Sequence, residues 1–189
     1  MLETVISCIA AFVGTNIDDM FINTFFFVEA DTKAKTYSIV LGKYLGIGAL
    51  VLLSVLGAFG LQVLPERYIG FLGLIPIGMG IREGVRFWRN KEETENEEEQ
   101  RASGLVWNVM LVTMANGADN IGVYIPLFAG FEGGQLFVGL GIFAVMTALW
   151  CVLGKKMADL PVINQFLKKY KNVLVPMVYI ALGVYIIFK

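Results

Sequence analysis

The sequence has no histidine and only two cysteines among its 189 residues. The missing imidazole excludes a histidine zinc cage, a histidine-ligated haem and a Ser-His nucleophilic pair. Cys8 and Cys151 each lie inside an apolar run, which suits neither a disulfide framework nor a paired thiolate motif. Charge is scarce too: charged residues make up 16% of the chain, and a net charge of -1 gives no basic field for nucleic acid. No phosphate-binding loop, nucleophile elbow or zincin pattern occurs, so no enzyme is expected. The chemistry that remains is oxygen ligation, with sulfur a minor source.

Apolar length is what the chain does have. Hydrophobic residues are 57% of it, too many for an ordinary water-soluble domain. Crossing a hydrocarbon core takes about 20 helical residues. Six runs qualify: Thr4–Val28, Tyr37–Val63, Tyr68–Trp88, Gly104–Ala129, Leu136–Met157 and Tyr170–Phe188. The expected fold is therefore an all-α integral membrane protein with six transmembrane helices, forming a single transmembrane domain over residues 1–189. The amino terminus lacks a basic segment and Asp18-Asp19 interrupts the first run, so that run is read as a retained span rather than a signal peptide. Residues 89–103 carry six glutamates without apolar periodicity and read as a solvated acidic linker between residues 1–90 and 104–189. All but Arg67 and Lys189 of the 15 lysines and arginines lie in or beside the loops after the first, third and fifth runs. By the positive-inside rule these loops are cytoplasmic and both termini face outward. Lys43, about two turns into the second run, is expected to snorkel to the cytoplasmic interface, with an internal counter-charge as the alternative.

Two polar insertions break this pattern. Asn16-Ile-Asp-Asp19 sits in the middle of the first run, and Thr113-Met-Ala-Asn-Gly-Ala-Asp119, followed by Asn120, in the middle of the fourth. A shift of one hundred residues overlays Asn16 on Asn116, Asp19 on Asp119 and Pro76 on Pro176. Three spans per copy make the second copy enter the membrane from the opposite side, so the halves are expected to be two inverted three-helix repeats. That arrangement, with polar interruptions at the midplane, is characteristic of secondary transporters.

A carboxylate at mid-span costs about 2.5–3.5 kcal/mol on insertion scales and persists where it lines an ion path or pairs inside the bundle. Asn16 and Asp19 are three residues apart and share a helix face, as do Asn116 and Asp119. If the two faces meet, two carboxylates neutralise a divalent cation and the amides of Asn16, Asn116 and Asn120 supply carbonyl oxygens. Asp18 lies about 100° round from Asp19. It is a third candidate ligand, a proton carrier or a helix-helix hydrogen-bonding group. Gly14, Gly117 and Gly122 would let either helix unwind locally. Cys8 and Thr15 are candidates for a path leading outward, although a membrane cysteine such as Cys8 is more often a small apolar filler. Cys151, Met20, Met110 and Met114 read as packing. Gly42-x-x-x-Gly46, Gly80-x-x-x-Gly84 and Gly130-x-x-x-Gly134 have the spacing that lets helices pack closely.

Thr15-Asn-Ile-Asp-Asp19 and Asn116-Gly-Ala-Asp-Asn-Ile-Gly-Val-Tyr-Ile-Pro126 resemble the bacterial cadmium-resistance transporters of the CadD type, within the lysine-exporter superfamily. The similarity covers essentially the whole chain. It implies efflux of Cd2+, and secondarily Zn2+, with the metal as transported substrate and no bound cofactor. Protons are the candidate counter-ion, the lipid bilayer is the surroundings, and homo-oligomerisation is left open. Export of Mn2+ or of a lysine-type amino acid is the alternative. The amino acid would need a midplane Lys or Arg for its carboxylate, and the sequence pattern offers no clear one.

Overall fold

A computed structural model of the protein describes residues 1–60, 95–118 and 120–167, with isolated helical positions between 74 and 85 and between 169 and 184. The larger part of the expected third and sixth spans, the Pro76/Pro176 pair, Gly80-x-x-x-Gly84, Asp119 and the side chains of residues 95–103 lie outside the described residues. Among the described residues every regular element is a helix. In chain order these are α1 (Leu2–Asn16), α2 (Asp19–Val28), α3 (Lys33–Ala58), α4 (Glu95–Asn116), α5 (Asn120–Ala129) and α6 (Gln135–Asp159).

The first run, expected as one continuous span, is two helices bent by 69°. The local cause is Asp18. Its side chain accepts the Asp19 N–H at 2.9 Å and so caps α2, while the next backbone bonds tighten to three-residue steps, Met20 N–H to Ile17 at 3.3 Å and Phe21 N–H to Asp18 at 3.4 Å. The fourth run breaks at the equivalent place, between Asn116 and Asn120. There the Gly117 N–H closes α4 on Thr113 at 2.9 Å and the Asn120 N–H returns to Gly117 at 3.0 Å. Gly117 is needed for packing as well, since a Cβ would stand 2.6 Å from the Leu50 side chain of α3.

α3 and α6 are long and apolar enough to cross a membrane, and the bent α1–α2 pair passes the same test as a third candidate span. Thr32 starts α3 by accepting the Lys35 N–H at 3.2 Å, beside an exposed Asp31–Lys35 ion pair at 2.9 Å. Gly60, at φ +79°, follows its end in a conformation that favours glycine. α6 stops at Leu160, which is extended because Pro161 follows. α4 begins at Glu95, so the second half of the acidic linker is helical and continuous with the apolar run. Glutamate is a good helix former and suits a helix N-terminus.

The packing crosses between halves. α3 lies along α4 and α5, and α6 along α1 and α2. Gly42 and Gly46 make the first of these possible: a Cβ on Gly42 would meet the Val106 carbonyl oxygen at 2.6 Å, and one on Gly46 the Thr113 Cβ at 2.7 Å. Gly130 and Gly134, by contrast, lie at the end of α5 and in the loop before α6, with no neighbouring helix against them among the described residues. Two apolar clusters form the interior, one around Phe25, Phe26, Ile39 and Val112, the other around Phe12, Ile47, Tyr124 and Phe143. Phe21 and Phe137, by contrast, are 76% and 77% exposed, while Asn16, Asp19, Asn23, Lys43 and Asn120 are buried. Large apolar side chains outside and polar ones inside fit hydrocarbon surroundings.

Candidate metal site

The polar residues form a layer between the two clusters. Along α3, Lys43 falls between Ile39 of one cluster and Ile47 of the other. Along the broken first run, Asn16 and Asp19 fall between Phe12 and Ile22. The helix break thus coincides with the polar layer. It places the C-terminal end of α1, with its carbonyls, and the N-terminal end of α2 in the interior. One of those carbonyls, that of Asn16, is held by the Trp150 indole N–H at 2.9 Å.

Asp19, at the first residue of α2, is 2% exposed. Its Oδ2 accepts the Lys43 ammonium, and Lys43 is itself only 1% exposed. Lys43 therefore does not snorkel to the interface. It lies on the α3 face that carries Gly42, Gly46 and Ile47, and there it pairs with Asp19. The other oxygen of Asp19, Oδ1, has no hydrogen-bond partner among the described residues. Neither has Oδ1 of Asn23, one turn along the same helix. The Asn23 amide is oriented by its Nδ2, which donates to the Trp150 carbonyl at 2.8 Å, and Gly154 leaves the room on α6 for that contact. Two buried acceptors without donors on one helix face, among the described residues, are costly in an apolar interior and call for an explanation.

A second knot joins the two halves. The Asn16 Nδ2 donates to the Phe12 carbonyl at 2.9 Å, to Thr15 Oγ1 at 3.0 Å and to the Tyr124 hydroxyl at 2.8 Å. Thr15 Oγ1 lies 2.7 Å from the same hydroxyl, and the Asn120 Nδ2 reaches it at 3.5 Å. Two of the amides singled out by the sequence, Asn16 and Asn120, therefore meet through one phenol oxygen. The Tyr124 ring is fixed edge-on against Phe143, centroids 4.8 Å apart.

The remaining sequence candidates are spread around this layer. Asp18 is exposed at the break and serves as the α2 cap. Asn116 is half-buried at the end of α4, and Asp119 lies outside the described residues. Cys8 is fully buried in the second apolar cluster and Cys151 is buried in the first, with Met20 packed against the second. Among the described residues no three of Asp, Glu, Cys and His converge on one point. Asp19 is thus the acidic member of the described layer, with the Lys43 ammonium as its partner. Asn23, Tyr124 and Trp150 were not singled out by the sequence pattern. Asn16, Asp19 and Asn23 stand at i, i+3 and i+7, and Asn116, Asn120 and Tyr124 at i, i+4 and i+8, so face periodicity was the signal available.

The profile of the cadmium resistance transporter family matches residues 12–189, from just before the first polar insertion to the last residue. The chain belongs to the cadmium resistance transporter family. No curated protein and no solved structure matches it. In a cadmium resistance transporter the buried oxygens acquire a specific chemical meaning, since a divalent cation is the substrate class the family name carries. A carboxylate and amide carbonyls match a hard or adaptable divalent ion, whereas both thiols sit within apolar clusters.

In this cadmium resistance transporter, Tyr124→Phe is expected to lower stability by about 1–3 kcal/mol, because the Asn120 amide and Thr15 hydroxyl lose a buried partner. Thermal unfolding in detergent checks this. An unchanged melting temperature would show that the phenol does not tie the halves together.

Proposed function

We propose that the protein exports Cd2+, and secondarily Zn2+, across the bacterial cytoplasmic membrane by alternating access between two inverted three-helix repeats. Asp19 carries the ion at the helix break, with the Asn23 carbonyl one turn away. Asp119 is the matching carboxylate of the second repeat, while Asn16, Asp18, Asn116 and Asn120 complete the polar surroundings. Protons are the proposed counter-ion, and both termini face outward. The observation that carries this reading is that, among the described residues, the buried Asp19 Oδ1 and the Oδ1 of Asn23, one turn along the same helix, both lack a hydrogen-bond partner. The two-repeat arrangement is supported by breaks after Asn16 and Asn116, one hundred residues apart. It is supported again by the way each long helix packs along the broken helix of the other half.

Uptake of radioactive cadmium into inverted membrane vesicles tests the site. Asp19→Asn and Asp119→Asn are each expected to reduce uptake to the level of vesicles without the transporter. Full uptake by both variants would contradict the assignment.

The Asp19–Lys43 pair also favours a second reading. A buried carboxylate and ammonium together complement an amino acid zwitterion, and Lys43 supplies the cation that the sequence pattern seemed to lack. Lysine that competes with cadmium for uptake would support this reading. Cadmium uptake indifferent to lysine would remove it.

A further inference from the structure

Lys43 needs an explanation beyond stability. A buried ion pair is expensive to desolvate, and well-packed apolar residues of similar volume often replace one with no loss of stability. A pair that is purely structural also needs its remaining polar atoms satisfied, yet Asp19 Oδ1 and Asn23 Oδ1 are both left without donors. The Lys43–Asp19 pair is therefore half complete: one carboxylate oxygen is occupied by an ammonium and the other has no hydrogen-bond donor among the described residues.

The pair also lies across the packing of the bundle. Lys43 belongs to α3, which is seated along α4 and α5 through Gly42 and Gly46. Asp19 belongs to α2, which is seated along α6. The α3 backbone is pinned by its glycine contacts, but the four-carbon stem of lysine is flexible, so the ammonium can leave the carboxylate without moving the helix. A divalent cation on the same carboxylate would repel an adjacent ammonium in a low-dielectric interior.

We propose that Lys43 is a tethered cation that occupies Asp19 whenever the transported metal does not. Metal binding is then an exchange: the divalent ion takes Asp19 and the Asn23 carbonyl, and the ammonium withdraws. On release the ammonium returns, so the empty carrier has no bare buried charge at Asp19 and can reset. The same pair links the two packed units, α2 with α6 and α3 with α4 and α5, while the site is empty, and the metal unfastens it. The inference rests on the assignment of Asp19 to the metal site made above.

The test uses the full-length protein, purified and reconstituted, with radioactive Cd2+ as the probe. If Lys43 competes with the metal, Lys43→Gln tightens cadmium binding roughly tenfold, because the buried pair no longer has to be broken. Lys43→Arg, which keeps the charge and grips a carboxylate in two places, weakens it by a similar factor of about ten. In proteoliposomes Lys43→Gln retains cadmium-for-cadmium exchange while net efflux falls about tenfold or more, since only the empty carrier lacks its cation. Asp19→Asn is run beside them. Loss of binding in Asp19→Asn with unchanged or weaker binding in Lys43→Gln overturns the exchange proposal and leaves the metal site standing. Intact binding in Asp19→Asn overturns both. Should Lys43→Gln not fold, unchanged affinity in Lys43→Arg overturns the proposal by itself.

Discussion

Asp19→Asn and Lys43→Met are each expected to destabilise the protein by about 3–5 kcal/mol, and the double variant to recover most of that loss. Either single change strands one charge in an interior where both side chains are almost wholly enclosed. The asparagine leaves the Lys43 ammonium facing an uncharged amide, and the methionine leaves the Asp19 carboxylate with Oδ1 still unpartnered. Removing both charges removes the desolvation penalty along with the attraction, which is why the double variant regains stability. It is not expected to regain cadmium binding, because the carboxylate is gone. Melting curves in detergent, arranged as a double-mutant cycle, give the coupling directly. A double variant as unstable as the worse single one would show that the losses come from packing and not from the pair.

Gly42→Leu is expected to prevent assembly. A Cβ at this position would lie 2.6 Å from the Val106 carbonyl oxygen and 2.8 Å from the Val109 Cβ. The first of these is backbone and the second is fixed to it, so neither can swing aside, and α3 would have to move off α4. Gly42→Ala is expected to cost about 1–3 kcal/mol by the same overpacking. Gly48→Ala is the control: it is exposed with nothing within 4 Å, and the change should be neutral or stabilising by up to about 1 kcal/mol from helix propensity alone. Melting temperature and elution profile of the three variants check the order. Equal behaviour of Gly42→Ala and Gly48→Ala would contradict the close α3–α4 crossing.

Much of the arrangement was legible because burying polar groups in hydrocarbon is costly enough to leave a trace. The apolar runs Tyr37–Val63 and Leu136–Met157 correspond to α3 and α6 with ends shifted by a few residues, and the glycine spacing at Gly42 and Gly46 marked a real crossing. Asn16, Asp19 and Asn120 stood out as polar residues in apolar runs, and all three are buried in one layer. The breaks were visible only as a possibility raised by glycines. Their position is set by the Asp18 cap at one and by the return bond from Asn120 to Gly117 at the other, details that periodicity does not encode. Lys43 was misread because a lysine near the end of an apolar run, in a chain with a strong cytoplasmic bias, fits snorkelling. Its place one turn from both Ile39 and Ile47, between two packing glycines, pointed the other way. With Lys43 removed from the cytoplasmic set, the charge bias still rests on the loop residues beside it, such as Lys33 and Lys35. Asn23 was hidden in the run Phe21–Phe27, where one amide among aromatics looks like filler until its orphaned oxygen is seen.

The most direct test is titration calorimetry of the purified protein and of Asp19→Asn with Cd2+, Zn2+, Mn2+ and lysine. The wild type is expected to bind Cd2+, with Zn2+ weaker and lysine giving no heat, and Asp19→Asn to bind none of them. Cadmium bound equally by both proteins would contradict the assignment of Asp19 to the metal site, and lysine bound in place of cadmium would show that Asp19 and Lys43 hold an amino acid.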